Sequence, residues 1–144
     1  MEEGIEKILE AFPLSWKGKK AVIKPNILGP SPPGKAITTH PSLIRGIVKS
    51  LRKRGALCLV GDNPGLNGYA ANGHCARVSG IFDAADSCFV SFAKETVQLA
   101  VRSRHIEKLV VYRAIVEADV VIKVNGDGSN YSLIVPEENR TVPI

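Results

Sequence analysis

The stretch AVIKPN, residues 21–26, decides the fold, because an apolar strand ends there in a lysine, a proline and an asparagine. A second stretch, ALCLVGDNPG at residues 56–65, has the same arrangement of an apolar strand followed by polar and turn-forming residues. Strands that are apolar almost throughout are typical of parallel sheets covered on both faces. A parallel pair of strands needs a crossover connection of a dozen or more residues, and the segment between the two stretches is long enough to supply one.

An amphipathic helix is predicted between the two strands. Thr39 or His40 caps its start, and Pro41 suits the first turn, where a missing N–H costs little. Gly55 follows the basic end of the helix, at the usual position of a left-handed C-cap. The residues of its apolar stripe are Leu43, Ile44, Ile47, Val48 and Leu51.

The rest of the chain predicts further helices and strands around this unit. Helical spacing of apolar residues predicts helices at 2–12, 74–86 and 110–118, and apolar runs predict strands at 88–92, 97–101 and 119–124. We therefore expect one three-layer α/β domain over residues 1–144, with a mostly parallel sheet, helices on both faces and a divergent tail at 125–144. A sheet that is incomplete at one edge stays an open alternative.

Composition excludes several classes of function. No apolar run approaches the roughly 20 residues that span a bilayer, and the acidic N-terminus lacks the features of a signal peptide, so we expect a cytoplasmic protein without membrane association. The net charge is +5, but aromatic residues make up only 6% of the chain and no RNA-binding signature is present. Nucleic acid is therefore a disfavoured partner.

The cysteines indicate neither a disulfide framework nor a metal site. Cys58, Cys75 and Cys88 are odd in number and widely spaced, without the pattern of an iron–sulfur cluster motif. Cys58 falls inside an apolar strand, which favours an inert buried thiol. We predict no metal ligands in this chain.

The polar residues at the strand ends predict a binding site. Ligands in open α/β sheets bind outside the carboxyl ends of the strands, and a helix N-terminus favours anions. We expect a small anionic molecule to be bound there, with His40 as a general base or, alternatively, a metal ligand, and Asp62 orienting it. The predicted ligand-binding residues are Lys24, Asn26, Thr38, Thr39, Asn63 and Gly65. Alternatively, each of these residues serves only as a cap, a turn former or a solvated side chain.

The segment KPNILGPSPPGKAITTHPSLIRGIVKSLRKRGALCLVGDNPG, residues 24–65, resembles the N-terminal part of the family called domain of unknown function 362. The similarity rests on the strand end Lys-Pro-Asn, the run Thr-Thr-His-Pro and a Gly-Asp-Ser-Pro-Gly type strand end, in which Asn63 replaces the common serine. The segment AIVEADVVIKV at 114–124 is similar to the family's later helix and strand. The resemblance covers roughly residues 19–124.

The resemblance implies a redox setting, because many members of that family are joined to ferredoxin-like modules or neighbour them. A 4Fe-4S cluster would then belong to a ferredoxin-like protein or another subunit, since this chain has no cluster motif. The chain also departs from the family after Val124, where a Pro-Lys-x-Lys-Thr-His type motif is expected. The C-terminal part is therefore expected to be missing or divergent.

Three hypotheses remain open from the sequence. The chain is part of an iron–sulfur-associated redox enzyme that binds a small anionic substrate, or it is a non-catalytic domain that binds a ligand or a partner. The third hypothesis is a truncated fragment that needs another subunit to cover an exposed sheet edge.

Overall fold

The computed structural model describes residues 2–12, 14–64, 71–101, 103–124 and 131–134. The helices are α1 (Glu2–Glu10), α2 (Pro41–Lys53), α3 (Asn72–Val78), α4 (Ile81–Ala84) and α5 (Arg113–Val116). The strands are β1 (Lys20–Pro25), β2 (Leu57–Val60), β3 (Thr96–Ala100), β4 (Lys108–Tyr112), β5 (Val120–Val124) and β6 (Tyr131–Ile134). Short 3-10 turns occur at Pro33–Lys35 and Phe92–Lys94.

The main sheet has the strand order β2-β1-β5-β6. Strand β1 pairs in parallel with β2 on one side and with β5 on the other. Strand β6 pairs antiparallel with β5, so the edge of β5 that a shorter sheet would leave open is occupied. At the opposite side, Phe89 forms a single parallel bridge with Val60 of β2. The predicted mixed α/β class with a mostly parallel sheet is confirmed.

The larger core lies on one face of the sheet, under α1 to α4. Helix α2 contributes the apolar stripe that its sequence predicts, and Ala21 and Ile23 of β1 meet it from the sheet. Helices α1 and α2 approach closely at Gly46, where a Cβ atom would lie 2.5 Å from Cδ1 of Ile5. A glycine at this position therefore allows the two helices to pack.

A smaller cluster covers the other face. Val22, Phe92, Ala118 and Val121 are buried there. The four-residue helix α5 lies on this side, since Ala114 and Ile115 pack against the cluster. Helices thus flank both faces of the sheet as expected, but the second layer is much thinner than the first.

The prediction of a helix over 110–118 is wrong for its first three residues. Residues up to Tyr112 belong to β4, which pairs antiparallel with β3 in a separate two-stranded sheet, and only Arg113–Val116 is helical. The run KLVVYRAIVEA alternates too little to distinguish strand from helix, and pairing with β3 decides the outcome.

The predicted helix at 74–86 is two helices, because Gly80 adopts a left-handed conformation with φ of 73° between α3 and α4. Glycine adopts this conformation without the steric cost that other residues meet. Among the described residues, no helix has the length and apolar character that a membrane crossing requires.

Candidate functional site

Thr39 joins the carboxyl ends of β1 and β5. Its hydroxyl accepts a hydrogen bond from the backbone N–H of Asn26 at 2.9 Å and donates one to the carbonyl of Val124 at 3.0 Å. Its own backbone N–H donates to the carbonyl of Asn26 at 3.0 Å. Because Thr39 is completely buried, these bonds compensate polar groups that are inaccessible to water.

Asp62 joins the carboxyl ends of β1 and β2. Its Oδ2 accepts a hydrogen bond from the backbone N–H of Ile27 at 2.7 Å, and its Oδ1 lies 2.5 Å from Nζ of Lys24. The carboxylate is 4% exposed, whereas the side chain of Lys24 is 36% exposed. Asp62 is therefore a buried anion that holds a partly exposed cation at the edge of the sheet.

His40 is the N-cap of α2. Its Nδ1 accepts a hydrogen bond from the backbone N–H of Ser42 at 3.3 Å and lies 2.7 Å from Oγ of the same serine. The N–H of Leu43 donates to the carbonyl of His40, and Pro41 has no N–H at all. The first donors of α2 are therefore already used within the helix start, and an anion would have to rely on the side chains around it.

Several buried polar atoms, two of them in residues adjacent to Thr39 and Asp62, carry no hydrogen bond within the described part of the chain. Thr38 precedes the bridging Thr39 and is 2% exposed, and Asn63 follows Asp62 directly. A buried polar group without a partner costs about 1–3 kcal/mol, so such atoms point to a bound molecule or water. The atoms concerned are Ser31 Oγ, Thr38 Oγ1, Asn63 Oδ1 and Asn72 Oδ1.

The predicted site residues thus fall into two groups. Lys24, Asn26, Thr39 and Asp62 are linked through the end of β1 by the hydrogen bonds and the ion pair described above. His40 belongs to the start of α2, and no hydrogen bond joins it to Asp62 in the described residues. Thr38 and Asn63 flank the linked residues in the sequence, and Gly65 lies outside the described residues.

Three contributions to this edge were missed from the sequence. The backbone N–H of Ile27, the carbonyl of Val124 and the backbone N–H of Ser42 each bond a predicted residue. Backbone groups carry no signal in the choice of side chain, so pattern reasoning could not find the first two. The serine two residues after His40 is a usual partner position for a capping residue, and that spacing could have indicated the third.

The three cysteines are free thiols. Burial raises the pKa of Cys58 to about 11 and also raises the pKa values of Cys75 and Cys88. No group of three or more His, Cys, Asp or Glu side chains suited to a metal ion occurs in the described ranges. A 4Fe-4S cluster is typically held by four cysteine thiolates, and the whole chain has three cysteines.

The chemistry available at the strand ends is polar recognition. The ammonium of Lys24 has three N–H donors and uses one on Asp62, which leaves donors for a further oxygen atom. The hydroxyl of Thr38 can donate or accept, and the amide of Asn26 is half-buried beside the bridging threonine. Because Asp62 balances the charge of Lys24, recognition at this edge rests on directed hydrogen bonds to the oxygen atoms of a ligand and not on excess positive charge.

Comparison with known proteins yields one match. Searches of curated proteins and of solved structures each found no match to this chain. The sequence model of the family described as "Domain of unknown function (DUF362)" matches residues 21–125. That range begins at β1 and extends just past β5, so it contains both strand ends and the connecting helix. The predicted resemblance is therefore confirmed, and the chain belongs to the family Domain of unknown function (DUF362).

Proposed function

We propose that this chain binds a small anionic molecule at the carboxyl ends of β1 and β2. The observation that carries the proposal is the pair formed by Lys24 and the buried Asp62. Burial of a carboxylate costs free energy unless it is paired, and Lys24 supplies the counter-charge of Asp62. The pair also holds an ammonium group, with N–H donors left over, in one position at a sheet edge where ligands of α/β proteins are bound.

The neighbouring polar atoms support the same proposal. Thr38 Oγ1 and Asn63 Oδ1 are buried without partners in the described residues, next to the two residues that join the strands. A ligand with several oxygen atoms, such as a carboxylate or phosphate that also bears a hydroxyl, would supply acceptors for Lys24 and Thr38 and a donor for Asn63. Asn26 would complete the contacts within the described residues, and a contact from Gly65 stays a prediction from the sequence.

The catalytic roles of His40 and Asp62 stay a prediction within this proposal. The exposed ring of His40 uses Nδ1 for the helix cap and would present Nε2 for proton transfer. Both oxygens of Asp62 are engaged by Lys24 and Ile27, which favours a positioning role for this carboxylate. In the non-catalytic alternative the same residues bind the ligand, and the ligand is not chemically converted.

The family resemblance adds a partner to the proposal. We infer that the chain works beside a ferredoxin-like protein or another subunit that holds the 4Fe-4S cluster, because its own three cysteines are too few to bind one. The net charge of +5 favours an acidic partner, and such an association weakens as salt is added.

Calorimetric titration with citrate and with inorganic phosphate tests the ligand. We expect one of these probes to bind the unmodified chain at low salt, and we expect Lys24→Gln to weaken binding by about tenfold through loss of one charge-assisted hydrogen bond. Lys20→Gln is the matched control, because Lys20 lies at the other end of the same strand and is exposed. Equal weakening by both variants would indicate a general charge effect and would contradict the proposed site.

Titration of a purified acidic 4Fe-4S ferredoxin into the isotope-labelled chain tests the partner separately. We expect chemical-shift changes in the NMR spectrum of the chain that decrease between low and high salt. An unchanged spectrum would reject the redox association while leaving the ligand site intact.

A further inference from the structure

Two of the three cysteines lie in neighbouring segments of the sheet. Cys58 is in β2, and Cys88 immediately precedes the residue that bridges to Val60. The N–H of Val60 donates to the carbonyl of Cys88 at 2.8 Å, and the N–H of Val90 donates to the carbonyl of Val60 at 2.8 Å. These two bonds fix the segment 88–90 against β2 as a short parallel partner.

This arrangement brings the two cysteines within the range of a disulfide. Neighbouring strands are about 4.8 Å apart and rise about 3.3 Å per residue, so one residue of offset separates the two Cα atoms by ~6 Å. Disulfides typically join Cα atoms that are about 4.4–6.8 Å apart. In the register set by Val60 and Phe89, Cys88 lies opposite Leu59, and regular alternation would turn its side chain to the face away from Cys58. Cys88 lies outside the named strands, however, and it belongs to the larger core cluster against which Cys58 packs, so both side chains lie on the same side of the sheet.

We propose that Cys58 and Cys88 are a dithiol pair that forms a reversible disulfide between the two cysteines. The oxidant is a low-molecular-weight disulfide, such as oxidised glutathione, which reacts with the pair by thiol–disulfide exchange. The thiolate of Cys58, which is the more exposed of the two, attacks one sulfur of the oxidant and releases one glutathione thiolate. Cys88 then attacks the sulfur of Cys58 in the mixed disulfide and releases the second glutathione. The protein loses two electrons and two protons, and the oxidant is reduced to two molecules of glutathione.

The charged groups around the pair are Arg52 of α2 and Asp86. Arg52 binds the carboxylate and the backbone carbonyl of Asp86 and lowers the pKa values of both cysteines, against the larger raising effect of burial. Because burial keeps the pKa of Cys58 near 11, little thiolate is present at neutral pH. We therefore expect slow oxidation that accelerates as the pH rises.

Cys75 has no part in this pair. It is completely buried in α3, and its raised pKa arises from burial without a contribution from either of the other cysteines. It therefore serves as an internal control for nonspecific oxidation.

The disulfide would couple redox state to the strand end that carries Asp62. Asp62 lies two residues beyond Val60, the residue that the segment 88–90 holds. A covalent link between Cys58 and Cys88 would restrict the chain between them, which includes Asp62, Asn63 and helices α3 and α4. Closing such a loop stabilises a protein mainly by reducing the freedom of the unfolded chain.

The experiment incubates the native chain with oxidised glutathione at pH 8.5 and maps its cysteines by mass spectrometry after digestion. We expect a Cys58–Cys88 cross-link that is lighter by two hydrogen atoms, that dithiothreitol removes, and that raises the melting temperature by roughly 10 °C. Cys75→Ser should form the same cross-link at the same rate. Cys88→Ser should instead accumulate a glutathione adduct on Cys58.

The proposal is overturned if Cys58 and Cys88 both remain free thiols, if each is only glutathionylated, or if Cys75 supplies the partner. Native conditions are verified by recording circular dichroism before and after oxidation, so that cross-links formed in unfolded chains are excluded. The test of the disulfide does not depend on the proposed ligand site, because the cross-link is detected by mass spectrometry without any ligand.

Discussion

Strands β1 and β4 are both short and apolar, yet β1 is buried and β4 is largely exposed to solvent. Ala21, Val22 and Ile23 of β1 are completely buried between β2 and β5 and under helices on either face. In the described residues β4 pairs only with β3, and its Val110 is 67% exposed. Apolar composition therefore does not determine burial; the number of neighbouring elements does, and a lone two-stranded sheet is only marginally stable.

The same contrast separates the polar residues of the two regions. At the end of β1, buried side chains satisfy backbone groups of neighbouring strands, as Thr39 does for Asn26 and Val124. In the two-stranded sheet of β3 and β4, polar residues such as Thr96 are exposed on the surface. Matched substitutions in the two regions can therefore test how far stability depends on the hydrogen bonds that Thr39 makes at the end of β1, here called the clamped end of β1.

The largest effect is expected for Thr39→Val compared with Thr96→Val. Removing the hydroxyl of Thr39 leaves the N–H of Asn26 and the carbonyl of Val124 without this partner, at about 1–3 kcal/mol for each group. We expect a loss of about 3 kcal/mol in the free energy of unfolding, measured by urea denaturation. Thr96→Val should change it by less than about 0.5 kcal/mol. Equal losses in the two variants would remove the distinction between the regions.

Val22→Ala compared with Val110→Ala should give the next largest difference. The buried valine loses two methyl groups in a packed cluster, and we expect a loss of about 2 kcal/mol in the free energy of unfolding. The exposed valine loses almost no burial, and its variant should stay within about 0.5 kcal/mol. A large loss for Val110→Ala in dilute solution would show that β4 is covered by something in the native protein.

Lys24→Met compared with Lys108→Met tests the ion pair in the same way. Asp62 would stay buried without its cation, although solvent reaches Lys24 and lessens the penalty. We expect a loss of about 1 kcal/mol for Lys24→Met and almost none for the exposed Lys108. The double variant Lys24→Met with Asp62→Asn should recover part of the loss, and failure to do so would show that the loss does not come from the unpaired carboxylate of Asp62.

Acid sensitivity should show the smallest effect and concerns the opposite end of β1. The hydrogen bond from the backbone N–H of Lys20, together with Lys19, holds the pKa of Asp119 below its ordinary value of 3.8. A lowered pKa in the folded state stabilises the protein above the unfolded value, and this contribution is lost as the pH falls below it. We expect the melting temperature to fall between about pH 5 and pH 2, and to fall less steeply in Asp119→Asn.

Asp83→Asn is the control for this measurement, because Asp83 is exposed and forms no ion pair among the described residues. An identical dependence of melting temperature on pH in Asp119→Asn and in the unmodified chain would contradict the assignment.

Sequence reasoning was most successful where local signals agree. The strand in the stretch 21–26 and the helix after His40 carry apolar patterns and clear start and stop residues, and both occur in the structure. The predicted helix at 110–118 was wrong at residues 110–112, because a short apolar run is compatible with either strand or helix until its pairing partner is known. Gly80 was overlooked as a break because the apolar spacing continues across it.

The candidate site was predictable in location and much less so in its contacts. Parallel strands put their carboxyl ends together, so Lys24, Asn26 and Asp62 could be placed at one edge from topology alone. The sequence could not reveal that Asp62 bonds the N–H of Ile27 rather than His40, because the partner is a backbone group. It also could not reveal that the His40 ring caps its own helix, which requires the side-chain conformation.

The hydrogen bond from Thr39 to the carbonyl of Val124 joins residues that are 85 positions apart. During synthesis the ribosome releases β1, α2 and β2 well before β5, so a nascent chain can pair its first two parallel strands while this bond is still missing. Contacts of such long sequence separation also slow folding, because the chain entropy of the intervening loop is lost before they form. The clamped end of β1 is therefore expected to be among the last parts of the domain to close as it folds.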